Sequence, residues 1–160
     1  MNSLELDVFK TFHLDWALLT AGRMEDHNTM TISWGGLGTL WGKSVATVYV
    51  RPNRHTYAYM ENHEYFTVSF YCEEFRSDLK TLGTLSGRDC DKVAQTNLTA
   101  SAIGDSVTFE QAKRTLLCRK IFAQDMDPQA IPQKITDTFY AKEPVHRMYI
   151  GEVVQILDHS

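Results

Sequence analysis

The 160-residue sequence is short of several things, and each shortage removes a class of protein. It has only three cysteines, Cys72, Cys90 and Cys118, far apart and without a C-x-x-C pair. That excludes a disulfide-stapled scaffold and reads as structural free thiols in a reducing cytosol. It has no run of Lys or Arg, and 16 basic against 20 acidic residues leave a formal charge of −4. Such a chain lacks the electrostatic footprint of a nucleic-acid binder and the polybasic patch of a membrane-surface protein. No stretch reaches the ~18 consecutive apolar residues of a membrane span. The acidic start, Met1–Asp7, does not read as a secretory leader.

Internal repeats, low-complexity tracts and interdomain linkers are also missing, so residues 1–160 read as one domain. Hydrophobic residues at 43% and charged residues at 22% are ordinary for a globular fold with a sizeable core. Strand signals dominate. Trp16–Ala21 is a short apolar run, and Thr29–Trp34 alternates with period two, Thr29, Thr31 and Ser33 on one face and Met30, Ile32 and Trp34 on the other. Ser44–Val50 is rich in β-branched residues. Tyr65–Tyr71, Thr115–Ala123 and Met148–Leu157 read the same way, which makes six strands.

Helices are few. One begins after Pro52, capped by Asn53 or Thr56, and runs through His63. A second covers Glu73–Leu82, with Phe75, Leu79 and Leu82 on one face and Gly83 as its stop. A third, short one spans Asp89–Thr96, and Phe109–Lys113 is ambiguous. Asp125–Pro144 holds three prolines and reads as a long internal loop, a kind that is often functional. Strands without regular β–α alternation point to a mostly β barrel with short helices rather than a parallel sheet.

Familiar motifs fail on spacing. Gly36 and Gly38 open a dinucleotide fingerprint, but its third glycine would fall at Trp41. His63-Glu64 lacks the second histidine of a zinc protease, since that position is Thr67. Three clusters remain: Asn28–Trp34 with Trp41, Gly42 and Lys43; Val50–Thr56; and Ser86–Lys92. Hydroxyls of Thr29, Thr31 and Ser33 beside the aromatic Trp34 and Trp41 suit a flat ring with a polar edge. Arg51 and Arg54 have the fork geometry for a phosphate, Thr56 offers a hydroxyl, and Lys92 adds a point charge. Taken singly, each is ordinary: strand hydroxyls, core tryptophans and solvated loop charges. In combination they suit a flavin mononucleotide.

In order and spacing, Asn28–Gly38, Leu40–Lys43, Val50–Tyr57, Leu85–Val93 and His146–Val153 resemble the flavin-reductase-like, FMN-binding split-barrel family, in its flavoredoxin-like branch. The resemblance runs from about Trp16 to Leu157. It implies a six-stranded antiparallel split barrel that forms a homodimer, with FMN held non-covalently near the subunit interface. It implies that Asn28, Thr29, Met30, Thr31, Ser33 and Trp34 line the ring, with Trp41 and Gly42 close by. Arg51, Arg54, Thr56 and Lys92 would hold the phosphate, with Ser86 and Gly87 as further contacts. His146 would stand near the flavin or a nicotinamide. The implied activity is an NADH- or NADPH-dependent flavin reductase passing electrons through FMN to free flavin or an acceptor protein. The alternative is a non-enzymatic FMN electron carrier or flavin-binding protein.

Overall fold

Alternating apolar and polar residues pair the strands into one large antiparallel sheet. The computed structural model describes residues 3–160. After a helical turn α1 (Val8–Lys10) and a π-helical turn at Thr11–Asp15, nine strands follow: β1 (Ala17–Arg23), β2 (Asp26–Ile32), β3 (Gly35–Leu40), β4 (Lys43–Val50), β5 (Tyr65–Phe70), β6 (Ala100–Ile103), β7 (Ser106–Phe109), β8 (Arg114–Asp125) and β9 (Arg147–Asp158). Seven form one sheet in the order β2-β1-β5-β8-β9-β4-β3, and β6–β7 is a separate hairpin.

This corrects the six-stranded barrel. All six expected strands exist with shifted ends, but the main sheet has seven strands, and β2 and β3 each have one strand partner, so it is not closed. β3 escaped notice because its sequence is Gly-Gly-Leu-Gly-Thr-Leu, poor in strand formers, and pairing with β4 alone holds it extended. β6 and β7 are only four residues each.

The helices also shift. α2 (His55–Asn62) starts from Arg54 with no side-chain cap; Thr56 lies inside it and Asn53 turns to Glu143 instead, 2.7 Å away. The second helix is a 3₁₀ turn, Glu73–Phe75, followed by α3 (Arg76–Thr84), so Gly83 is in the last turn rather than beyond it. Asp89–Thr96 holds only the 3₁₀ turn Val93–Gln95. β7 ends at Phe109, and the loop after Asp125 contains a 3₁₀ turn and α4 (Gln133–Phe139).

Period-two alternation splits the core between the two faces of the sheet. Leu19, Val48, Phe66, Val68 and Leu116 pack on one face with Met60 of α2. Leu18 lies on the other with Leu79 and Leu82 of α3 and Phe109. The helices therefore flank the β1–β2 end of the sheet, where β2 is the outer edge. Gly151 on β9 leaves the space that Phe66 fills: a Cβ there would come within 2.6 Å of Phe66 Cζ and 2.8 Å of Cys118 Cβ. Neither neighbour can retreat, since both are fully buried. Gly151→Ala should therefore overpack the sheet and cost about 1–3 kcal/mol. Denaturant midpoints of the two proteins measure this; an unchanged midpoint contradicts the packing described.

Candidate functional site

Because β2 is an edge strand, its outer backbone groups have no strand opposite them. The first turn of α2 and the last turn of α3 close around that edge instead. On one side, Asn28 Nδ2 donates to Thr56 Oγ1 of α2 at 2.7 Å. On the other, Thr31 Oγ1 donates to the Leu79 carbonyl of α3 at 2.5 Å. The loop after α3 then wraps past the edge of β2 and encloses a cavity of about 380 Å³ bordered by Asn28, Met30, Arg51, Arg54, Ser86 and Lys92.

This cavity is cationic. Lys92 is 5% exposed. Its Nζ donates to the carbonyls of Leu82 (3.0 Å) and Leu85 (3.2 Å), and no ion pair of the described residues includes Lys92, Arg51 or Arg54. Burial, and then the Arg54 charge, push its amine down to about 8. Arg54 is exposed at the cavity wall. Thr56 Oγ1 accepts from Asn28, which leaves its own O–H to donate. Gly87 lies so close to the opposite wall that a Cβ would meet Asn28 Oδ1 at 2.0 Å and His55 Cδ2 at 3.2 Å. Any larger residue there would fill the cradle.

A second chamber of about 190 Å³ adjoins the first through Met30, Thr31, Arg51 and Arg54, and its far end is aromatic: Trp34, Tyr49 and His146. The chain from Met126 to His146 runs beside it, tied at its base by Met126 N–H donating to the His146 carbonyl at 3.0 Å. Arg51 fastens the loop, donating to the carbonyls of Phe139 (3.2 Å) and Pro144 (2.9 Å) and lying over the Tyr140 ring at 5.1 Å. Trp34 meets Phe139 edge to face at 5.4 Å. Tyr140 Oη and His146 Nδ1 share a 2.7 Å hydrogen bond. Burial, then Arg51 and Arg54, lower His146 to about 4, so it is neutral at pH 7.

The structure thus gathers Asn28, Met30, Thr31, Ser33, Trp34, Arg51, Arg54, Thr56, Ser86, Gly87, Lys92 and His146 around two joined chambers. Three of the expected residues do not present themselves there. The Thr29 hydroxyl is spent inside the sheet, accepting from Thr20 Oγ1 at 2.8 Å and donating to the Leu19 carbonyl at 3.2 Å. Trp41 and Gly42 form the tip of the β3–β4 hairpin, where both φ angles are positive (51° and 72°) and the Trp41 ring lies 6.4 Å from Phe122. Arg51, expected to hold a phosphate, borders both chambers, but its donors go to the loop. Tyr49, His55, Phe139 and Tyr140 went unnoticed in the sequence. Only the aromatic pair Phe139-Tyr140 inside a polar loop carried a signal.

No family model matches the sequence, and no curated protein does. Solved structures do. Flavoredoxin from Methanosarcina acetivorans superposes with a TM-score of 0.71 at 16% identity, over 99% of this chain and 75% of that one. An FMN-binding protein from Thermus thermophilus gives 0.71 at 18%, over 99% and 79%. The chain is folded like flavoredoxin. An NADH:FAD oxidoreductase from Streptomyces globisporus, in complex with NAD and FAD fragments, gives 0.68 at 12% identity, over 90% and 74%. In this chain's flavoredoxin-like fold, the strand carrying Asn28–Ile32 is the exposed edge on which the chambers are built.

Neutral His146 makes a pH prediction. Its unfolded counterpart takes up a proton near pH 6.5, the folded one only near 4. The unfolded state therefore binds more protons between those values, and stability is complete above 6.5 and lost as pH falls toward 4. The loss should be up to ~3 kcal/mol. Chemical denaturation across this range, with His146→Gln as reference, measures it; an equal slope in both proteins contradicts the burial of a neutral imidazole.

Proposed function

We propose that this protein is an FMN-binding oxidoreductase, an NADH- or NADPH-dependent flavin reductase that passes electrons through FMN. One observation carries the reading: a cation-rich cavity and an aromatic chamber meet along a single unpaired strand edge, sharing Met30, Thr31, Arg51 and Arg54. The residues fit the group. Lys92, Arg54 and the Thr56 hydroxyl are donors for a phosphate. Gly87 keeps the cradle open beside Asn28. The outer edge of β2 supplies backbone donors and acceptors for a polar ring margin, and Trp34 and His146 wall the ring's far end.

Flavin, when bound, supplies the redox chemistry, and the protein supplies position and charge. Arg54 and Lys92 neutralise the phosphate. The Met126–His146 loop, held by Arg51, brings Phe139 and Tyr140 against Trp34 and His146 at the aromatic chamber. Neutral His146, held by Tyr140, offers a hydrogen-bonding group at that wall without adding charge.

A homodimer belongs to the same reading. The free edge of β3, exposed Trp41 and Val154, and an apolar cleft of about 630 Å³ lined by Leu6, Leu37, Val153 and Ile156 suit a second copy. Free thiols, Cys72 among them, suit a reducing cytosol. No helix of the described residues is long and apolar enough to cross a membrane.

Purified protein mixed with FMN should acquire a perturbed flavin absorption band and oxidise NADH or NADPH steadily when free flavin is supplied. Binding without steady oxidation would make it an electron carrier. A protein that leaves the FMN spectrum unchanged is not a flavoprotein.

A further inference from the structure

Lys92 has a capacity that holding an anion does not use. As an ammonium it carries three N–H donors. Two are spent on the carbonyls of Leu82 and Leu85, at 3.0 and 3.2 Å. The third has no partner among the described residues. Loss of that proton leaves both hydrogen bonds intact and puts a lone pair where the third N–H was. The side chain borders the 380 Å³ cavity, with Arg54 and Ser86 on the same lining.

The charges around the amine favour its neutral form. Arg54 opposes a second positive charge, and only the Cys90 thiol acts the other way. Two carboxylates reach the lining, but Asp89 is exposed and Glu143 is taken by Asn53 Nδ2 at 2.7 Å. With the amine lowered to about 8, roughly a quarter of it is neutral at about pH 7.5, against about a thousandth of an ordinary lysine. A desolvated amine beside another cation is a nucleophile for a carbonyl carbon. The cavity also selects which carbonyl compound enters. The Arg54 guanidinium and the Thr56 hydroxyl are donors for a phosphate, so a short aldehyde phosphorylated at its other end is drawn in and held beside Lys92.

We propose that Lys92 is a carbonyl-reactive lysine, on which a small phosphorylated aldehyde held by Arg54 forms a reversible imine that fills the cavity. The Nζ lone pair bonds to the aldehyde carbon. The carbon–oxygen bond breaks, and the oxygen leaves as water with two hydrogens from the nitrogen. The imine, protonated from solvent, keeps the positive charge and one N–H for the carbonyls of Leu82 and Leu85. Nothing is oxidised or reduced. While the imine lasts, the cavity is closed to any other phosphate. The reactivity belongs to the free cavity and does not depend on flavin.

The test is reductive trapping. Purified, flavin-free protein is incubated at about pH 7.5 with D-glyceraldehyde 3-phosphate and cyanoborohydride, which fixes an imine as a secondary amine. Peptide mass spectrometry then locates the adducts. Of the eight lysines, Lys92 should be labelled at least about tenfold faster than any other. Lys120 is the internal control: burial lowers its amine too, and its Nζ donates to the carbonyls of Met60 and Glu61, but it does not border the cavity. Glyceraldehyde, which lacks the phosphate, should label Lys92 at least about tenfold more slowly. Arg54→Ala, at an exposed position, should bring the two aldehydes to about the same rate. Labelling spread evenly over the lysines, Lys120 reacting as fast as Lys92, or glyceraldehyde reacting at Lys92 as fast as its phosphate overturns the proposal. Because no flavin is present, the result is independent of whether FMN binds.

Discussion

Lys92 carries its charge at a nearly buried position, hydrogen-bonded to two carbonyls and paired with no carboxylate, while Arg54 stands close enough to lower its pKa. A buried cation without a counter-charge is expensive, and a second cation beside it raises the cost. Burial, with Arg54 beside it, accordingly lowers the amine's pKa. An anion arriving at this point would meet pre-positioned donors and relieve their mutual repulsion, so the binding energy is built into the free protein as electrostatic stress.

The rest of the architecture serves to hold that stress in place. Lys92 can reach inward only because the loop after α3 passes the edge of β2, and it can pass there only because no strand pairs with that edge. Asn28–Thr56 and Thr31–Leu79 bind the edge to α2 and α3 on opposite faces, so the cavity walls are fixed by hydrogen bonds from a single strand. Gly87 closes the approach to within contact of Asn28. Arg51, the other guanidinium of the Arg-Pro-Asn-Arg turn, works differently: it fastens the Met126–His146 loop beside the aromatic chamber. One turn thus holds a cavity-facing arginine and a loop-facing one, three residues apart.

Much of this was legible in the sequence, and the failures have physical causes. The six regular strands announced themselves through β-branched alternation; the glycine-rich β3 did not, because its extended form comes from pairing with β4 rather than from local preference. That Arg51, Arg54, Thr56 and Lys92 line one cavity was legible because charge and turn chemistry cluster in two short segments. The Thr29 and Thr31 hydroxyls have other partners than the sequence suggested, because alternation says which side chains share a face but not what covers it. Here the Thr29 hydroxyl turns to β1 and Thr31 to α3. The resemblance put Trp41 close to the ring; two successive positive φ angles put it at a hairpin tip, away from both chambers of this chain. The Phe139–Tyr140 pair is brought to the site by the fold of its loop, which the sequence signalled only as aromatics in a polar stretch.

The central claim is that a nearly buried, carboxylate-free Lys92 receives a phosphate. Its most direct test is the dissociation constant of FMN against that of riboflavin from about pH 7 to about pH 9.5, where a phosphate monoester is already fully charged. With the amine pKa at about 8, FMN affinity should fall as pH rises, by about tenfold across the range. Riboflavin, which has no phosphate, should bind with a flat profile, and Lys92→Met should flatten that of FMN. Parallel profiles for FMN and riboflavin in the natural protein would contradict the account.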